Sequence, residues 1–168
     1  MPVWKILAGE SPAPHDEPMT LTLRSPPFEP GAPIPARFDH ELGDRSPALV
    51  WDGVPEDTAA LVLLVDDPDA PAEGSFVHWV LFNLDPARRS IAEGEEPAEA
   101  SPGANGFGGP GYLGPAPPPG DGPHRYVFRL LAVDQPVSLT GLPSYQDVEA
   151  AVTAHVLGEA QVVGTYQR

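Results

Sequence analysis

VDDPDAP, residues 65–71, closes an apolar run that begins at Leu61, and FVHWVLFNL, residues 76–84, forms the next run. A third run follows in GPHRYVFRLLAVD, residues 122–134. Strands that are apolar on both faces are buried on both sides, as in the core of a sandwich of two sheets. The three runs also carry polar side chains at or near their ends, which predicts one ligand pocket. These side chains are Asp67, Asp69, His78, His124 and Tyr126.

The composition indicates one folded, acidic domain. A chain of 168 residues is long enough to bury roughly two-thirds of the surface that it exposes when unfolded. The 24 Pro and 17 Gly cluster between the apolar runs, which indicates turns and long loops. A net charge of −15 repels the phosphates of nucleic acids and anionic membranes, so we expect no nucleic-acid partner. The absence of cysteine excludes disulfides and thiolate chemistry.

The first 18 residues, MPVWKILAGESPAPHDEP, lack the apolar core of a signal peptide. No stretch of about 18 apolar residues is present that could span a bilayer. We therefore predict an N-terminal extension over 1–18, a single domain over 19–168, no integral membrane contact and a cytoplasmic location.

Alternation and apolar runs predict strands over 19–24, 48–51, 61–65, 76–84 and 126–133. The stretch 85–124 holds nine Gly and nine Pro, too many for a helix or a regular ladder. Because both of its ends carry polar candidates, we interpret it as a long functional loop without secondary structure.

The C-terminal part contains the best helix signal of the chain. Ser144 is a capping residue, and Asp147 stands three positions later, as in a capping box. Gly158 is the expected stop, and a last strand is predicted over 161–166. The apolar stripe of this helix consists of Tyr145, Val148, Ala151, Val152 and His155. One helix among many strands predicts an all-β fold, a Greek-key sandwich of two antiparallel sheets with long loops and a peripheral helix.

The two aspartates admit two interpretations. The prolines that follow Asp67 and Ala70 push these residues towards extended backbone. Asp67 and Asp69 are two positions apart in such a strand and are expected to point to the same side. The alternative is an ordinary Asp-Pro turn that ends the strand.

The histidines and the tyrosine are similarly ambiguous when each is taken alone. His78 lies between Phe76 and Val80 on one strand face, where a buried structural histidine is equally expected. His124 and Tyr126 share a face of the third run. The loop before them, 114–122 (GPAPPPGDG), offers stiff prolines for a wall and glycines that allow close approach to a ligand.

At these residues the chain resembles the phosphatidylethanolamine-binding proteins, which include the Raf kinase inhibitor proteins and their bacterial and archaeal relatives. Residues 67–71 (DPDAP), 78–80 (HWV) and 122–126 (GPHRY) resemble the three signatures of that family. The likeness is closest to the prokaryotic branch and runs from about Leu21 to about Asp134. His40 and Leu42 depart from it, since bacterial relatives often have Cys and Gly there.

The resemblance implies a β-sandwich with a small, partly open anion pocket for phosphate-like headgroups. Carried over by position, the pocket consists of Asp67, Asp69, His78, Pro117, Pro118, His124 and Tyr126. We expect imidazolium, tyrosyl O–H and backbone N–H groups to donate to the anion. The aspartates are then expected to accept hydrogen bonds from the imidazoles or the backbone, which favours protonated histidine.

Three functions are compatible with these residues. The first is a non-enzymatic binding protein for a small anionic or phosphorylated ligand, without a cofactor. The second is an inhibitor or regulator that binds a protein partner, a kinase or a protease, with the glutamates of 93–99 steering a basic partner. The third is an enzyme with a metal site of two histidines and two carboxylates or with an acid/base pair. A further partner to test is a second copy of the chain, which would form a homodimer.

Overall fold

The computed structural model describes residues 20–71 and 74–168, and the predicted extension over 1–18 lies outside the described residues. These residues form two antiparallel sheets and one short C-terminal helix, which confirms the predicted fold class. The strands are β1 (Thr22–Arg24), β2 (Leu49–Asp52), β3 (Ala60–Asp67), β4 (Phe76–Leu84), β5 (Ser90–Ile91), β6 (Ser101–Pro102), β7 (His124–Val133) and β8 (Val156–Tyr166). The helix α1 spans Tyr145–Val152, and 3₁₀ turns occupy Ala36–Phe38, His40–Leu42 and Thr153–His155.

β3 is the central strand of the larger sheet, whose order is β6-β4-β3-β7-β8. Its side chains alternate between two apolar layers, because successive residues of a strand point to opposite faces. Leu61 and Leu63 pack in the layer that also holds Leu23 and Leu49 of the smaller sheet, β1-β2-β5. The intervening Val62 and Leu64 pack in a second layer with α1. The continuously apolar run of β3 thus results from burial on both sides.

The helix begins as predicted and ends earlier. The Ser144 hydroxyl accepts from the Asp147 N–H, and the Asp147 carboxylate accepts from the Ser144 N–H, which completes the capping box. The prediction of Gly158 as the helix stop is wrong. Gly158 lies inside β8 and pairs with Ala132, since the helix has already ended at Val152 and continues only as one 3₁₀ turn.

The stretch 85–124 is not free of secondary structure, as had been expected from its Gly and Pro content. Ser90 pairs with Val50 in β5, and Ser101 pairs with Phe82 in β6. Each of these strands has only two residues, so neither shows an alternation that could reveal it in the sequence.

A segment from Gly31 to Ile34 covers one end of the edge strand β8. The Gly31 N–H donates to the Val163 carbonyl (2.7 Å), and the Ile34 N–H donates to the Thr165 carbonyl (2.7 Å). The Thr165 N–H in turn donates to the Ala32 carbonyl (3.0 Å). The segment therefore pairs backbone groups that an open sheet edge would expose. Within residues 20–71 and 74–168, no helix has the length and apolar character needed to cross a membrane.

Candidate functional site

A cavity of about 270 Å³ opens where β3 ends and where β4 and β7 begin. Antiparallel pairing of β3 with both neighbours brings these three strand ends together. Six of the seven predicted residues line the cavity: Asp67, His78, Pro117, Pro118, His124 and Tyr126. The lining is mostly apolar, so the few polar groups decide which ligand chemistry the cavity can accept.

His124 lies between two carboxylates at the cavity. Its Nδ1 is 2.7 Å from Oδ2 of Asp67, and its Nε2 is 2.5 Å from Oδ2 of Asp121. Burial by itself lowers the pKa of His124, but the hydrogen bonds with Asp121 and Asp67 outweigh that effect and raise the pKa above its usual value. Because carboxylates only accept, both ring nitrogens donate, and the ring is an imidazolium.

Asp67 supports the imidazolium from inside the protein. The residue is only 3 % exposed, and its Oδ1 accepts from the Asp69 N–H at 2.8 Å. Tyr126 lies on the same side, and its pKa is raised by burial and then by the nearby Asp67 carboxylate. The phenol therefore stays protonated and is available as a hydrogen-bond donor.

His78 is a neutral histidine. Its Nδ1 is 2.7 Å from the Leu113 carbonyl oxygen, which can only accept, so Nδ1 carries the hydrogen. Burial lowers the pKa of His78 below its usual value, despite the opposing effect of that hydrogen bond. At neutral pH its Nε2 is thus an acceptor. His124 therefore offers ring N–H groups as donors, whereas His78 offers an acceptor in its resting state; that either histidine binds an anion stays a prediction.

Asp69 does not line the cavity, although it was predicted to share a side with Asp67. The strand ends at Asp67 and a turn follows, so the two-residue alternation of a strand no longer applies at Asp69. Its carboxylate accepts from the backbone N–H and the guanidinium of Arg125, each at 2.9 Å. The hydrogen bond with Arg125 lowers the pKa of Asp69 to about 2. Asp69 is an ion-pair partner on the outer side of the site.

The loop that leads into β7 is fixed to the rest of the protein at Gly114. Its N–H donates to the Asp44 carboxylate at 2.8 Å, and the preceding Leu113 N–H donates to the His78 carbonyl at 2.8 Å. A Cβ on Gly114 would lie 2.1 Å from the Phe38 carbonyl oxygen. Glycine is therefore required for this close approach, which places Pro117 and Pro118 as one wall of the cavity.

An aromatic rim that was not predicted forms the opposite wall. The rings of Phe76 and Phe107 meet edge to face at 5.5 Å, and Phe76 also contacts His78 at 5.1 Å. Phe107 is 68 % exposed, and its other neighbour is His40 at 5.7 Å. The only sequence signal for Phe107 was its place within the resemblance between about Leu21 and about Asp134, which said nothing about its role.

The acidic stretch 93–99 is occupied by internal ion pairs. Glu93 binds Arg37 and Arg45, while Glu95 and Glu99 bind Arg88. Three of its glutamates thus already have arginine partners, which weakens the prediction that the stretch steers a basic partner. In the described part of the chain, no three His, Asp or Glu side chains converge closely enough to hold a metal ion.

The sequence and the fold both match known proteins. Residues 24–167 match the family model of the phosphatidylethanolamine-binding proteins. A UPF0098 protein from Methanothermobacter thermautotrophicus is 40 % identical over 153 residues, which cover 88 % of this chain and 99 % of that protein. A phosphatidylethanolamine-binding protein homolog from Chlamydia trachomatis is 34 % identical, with a TM-score of 0.83 over 89 % of this chain and 98 % of that one.

A more distant structure shares the fold. It is the carboxypeptidase Y inhibitor, solved in complex with its cognate proteinase. It is 19 % identical, with a TM-score of 0.56 over 89 % of this chain and 84 % of that one.

Proposed function

Because the chain belongs to the phosphatidylethanolamine-binding protein family, we propose that it is a non-enzymatic binding protein for a small ligand with a phosphate-like or phosphorylated headgroup. The observation that carries this proposal is the buried imidazolium of His124, held by the buried carboxylate of Asp67 at one end of an otherwise apolar cavity. A cation beside an apolar wall suits an oxyanion that is joined to a less polar group.

Two donors are available for such a headgroup. The Tyr126 hydroxyl is one, and the Nε2–H of His124 is the other when it is released from Asp121. The neutral His78 can accept a hydrogen bond from a protonated phosphate oxygen, or it can gain a proton itself at lower pH. Phe76 and Phe107 provide an apolar surface beside these groups.

Calorimetric titration with inorganic phosphate and with O-phosphoethanolamine tests the proposal. We expect both to bind the wild-type protein and to lose at least tenfold in affinity in His124→Gln. The matched control is His155→Gln, since His155 is also paired with an aspartate, Asp134, but lies outside the cavity. Absence of binding to the wild type, or equal losses in the two variants, would refute the proposal. A screen for phosphatase and esterase turnover tests the non-enzymatic part.

A second function, inhibition of a partner enzyme such as a protease or a kinase, is favoured by one surface feature. The Phe107 side chain projects from the rim and is largely exposed, whereas large apolar side chains are usually buried. The distant relative solved with its cognate proteinase shows that this fold can bind a protease. Inhibition of a panel of carboxypeptidases that is lost in Phe107→Ala and retained in His124→Gln would favour this function over ligand binding.

A further inference from the structure

The Asp121 carboxylate accepts a hydrogen bond from the N–H of His124 that an oxyanion ligand would need. Nδ1 of His124 is bound to the buried Asp67, so Nε2 carries the only ring N–H that is not held inside the protein. Asp121 accepts from this Nε2 at 2.5 Å. An anionic ligand and the Asp121 carboxylate therefore compete for the same N–H.

The two carboxylates at His124 differ in how firmly they are held. Asp67 ends the central strand and has a second hydrogen bond, from the Asp69 N–H. The Asp121 side chain is 44 % exposed and lies in a loop between Gly120 and Gly122. Both glycines have φ of +82°, and no atom lies within 4 Å of a Cβ placed on either one. The Asp121 side chain can therefore turn towards water while its own backbone stays bound to the Pro118 carbonyl and Asp67 stays in place.

The charge at this end of the cavity also depends on Asp121. One imidazolium between two carboxylates leaves one net negative charge, because His78 is neutral. On the outer side Asp69 and Arg125 neutralise each other, and on the rim the Asp44 carboxylate is hydrogen-bonded to His40 and to the Gly114 N–H. An anion placed beside His124 is repelled while Asp121 remains there, and it is not repelled once that carboxylate has moved away.

We propose that Asp121 lowers the affinity of the cavity for oxyanions by acting as an internal anion, which a ligand has to displace from Nε2 of His124. The inference rests on the proposed function, since it concerns the same cavity. A bare inorganic anion gains little beyond the hydrogen bond that Asp121 already makes. A phosphate ester gains apolar contacts as well, with Phe76 and Pro117 among others. Both ligands have to displace Asp121, and the ester offsets that cost with contacts that free phosphate lacks.

The test compares the full-length wild type with Asp121→Asn, which removes the charge and keeps the shape. The matched control is Asp57→Asn, since Asp57 is exposed, precedes β3 at the end opposite the cavity and changes the net charge equally. We expect the Kd for inorganic phosphate to fall at least tenfold in Asp121→Asn and to stay within twofold of the wild type in Asp57→Asn. The Kd for O-phosphoethanolamine should also fall in Asp121→Asn and stay within twofold of the wild type in Asp57→Asn.

Each remaining outcome is decisive. If wild type and Asp121→Asn bind phosphate equally, Asp121 is not a competitor, and the proposed function stands without this inference. If the Asp57→Asn control gains as much affinity, net charge explains the gain and the inference fails. If neither protein binds phosphate or the ester, both the inference and the proposed function are wrong. The NMR signal of the His124 ring reports whether Asp121→Asn is folded, and the same comparison in Asp121→Ser replaces it if it is not.

Discussion

Replacing Asp67 by Asn should destabilise the protein strongly, because it removes the negative charge beside His124. Asp67 accepts from the Asp69 N–H with Oδ1 and from the Nδ1–H of His124 with Oδ2, whereas Asn has one acceptor oxygen, so the change removes the charge and one of these two hydrogen bonds. The side chains of Asp67 and His124 are 5 % and 3 % exposed, which means that water cannot replace the lost carboxylate. The effect should thus be that of a broken buried ion pair.

The expected size follows from the contacts that remain. Removing one partner of a buried ion pair costs about 3–5 kcal/mol. His124 keeps Asp121 as a second carboxylate, so the lower end, about 3 kcal/mol, applies. For a domain of this size, 1 kcal/mol corresponds to about 2–4 °C in Tm. The melting temperature should fall by roughly 6–12 °C.

The effect should depend on pH in a defined direction. The folded state raises the pKa of His124 above the value of about 6.5 that the unfolded chain has. The stability that the charged ring contributes is therefore complete below pH 6.5 or so and is lost as the pH rises through the folded pKa. The loss of unfolding free energy in Asp67→Asn should accordingly be larger at pH 6 than at pH 9.

Urea unfolding of both proteins at pH 6 and pH 9 measures these differences, and an NMR titration measures the pKa of His124 in each. Asp69→Asn is the matched control, because its ion pair with Arg125 is partly exposed and should cost less than about 1 kcal/mol. An Asp67→Asn protein as stable as the wild type at pH 6, with an unchanged His124 pKa, would refute the reasoning.

Three further predictions concern other parts of the structure. Gly114→Ala should lower the free energy of unfolding in urea by more than about 3 kcal/mol, because its Cβ would clash with the Phe38 carbonyl. The control Gly109→Ala, whose Cβ would meet nothing within 4 Å, should lower it by about 1 kcal/mol or less. Sulfate, whose charge is constant over the range, should bind more tightly in calorimetry as the pH falls through the pKa of His78, which burial holds below its usual value, so that the ring gains a proton; an affinity indifferent to pH contradicts this. Arg129→Met should cost about 1–2 kcal/mol by thermal unfolding, since it removes the two ion pairs that join β7 to α1 and β8.

The long strands and their polar ends could be predicted from the sequence because both depend on local patterns, whereas the two-residue strands β5 and β6 could not. The run of β3 is apolar at every position from Ala60 to Val65, and its end carries Asp67, so burial on two faces and a polar strand end were both readable. The capping box at Ser144 was equally local. Such signals lie within a few residues of one another and need no knowledge of the rest of the chain.

The chemistry of the cavity depends on contacts between distant residues and could not be read in this way. The tautomer of the neutral His78 is set by the Leu113 carbonyl, 35 positions away in the sequence. The direction of the Asp69 side chain depends on where β3 stops, and β3 stops at Asp67, immediately before Pro68. Asp121 stands in the same GDGPHRY segment as His124, but only the folded loop shows that its carboxylate turns back onto the ring.

The segment that covers β8 has a consequence for folding kinetics. Its hydrogen bonds join residues 31–34 to residues 163–165, and near it Asp39 binds Arg168, which is 129 positions away. Contacts of such long range slow folding, because a large loop must close before they form. During synthesis β3 and β4 can pair early, whereas the Gly120 N–H, beside Asp121, finds its partner, the Arg168 carbonyl, only after β8 has been made. The binding cavity should consequently be among the last parts of the protein to reach its native structure.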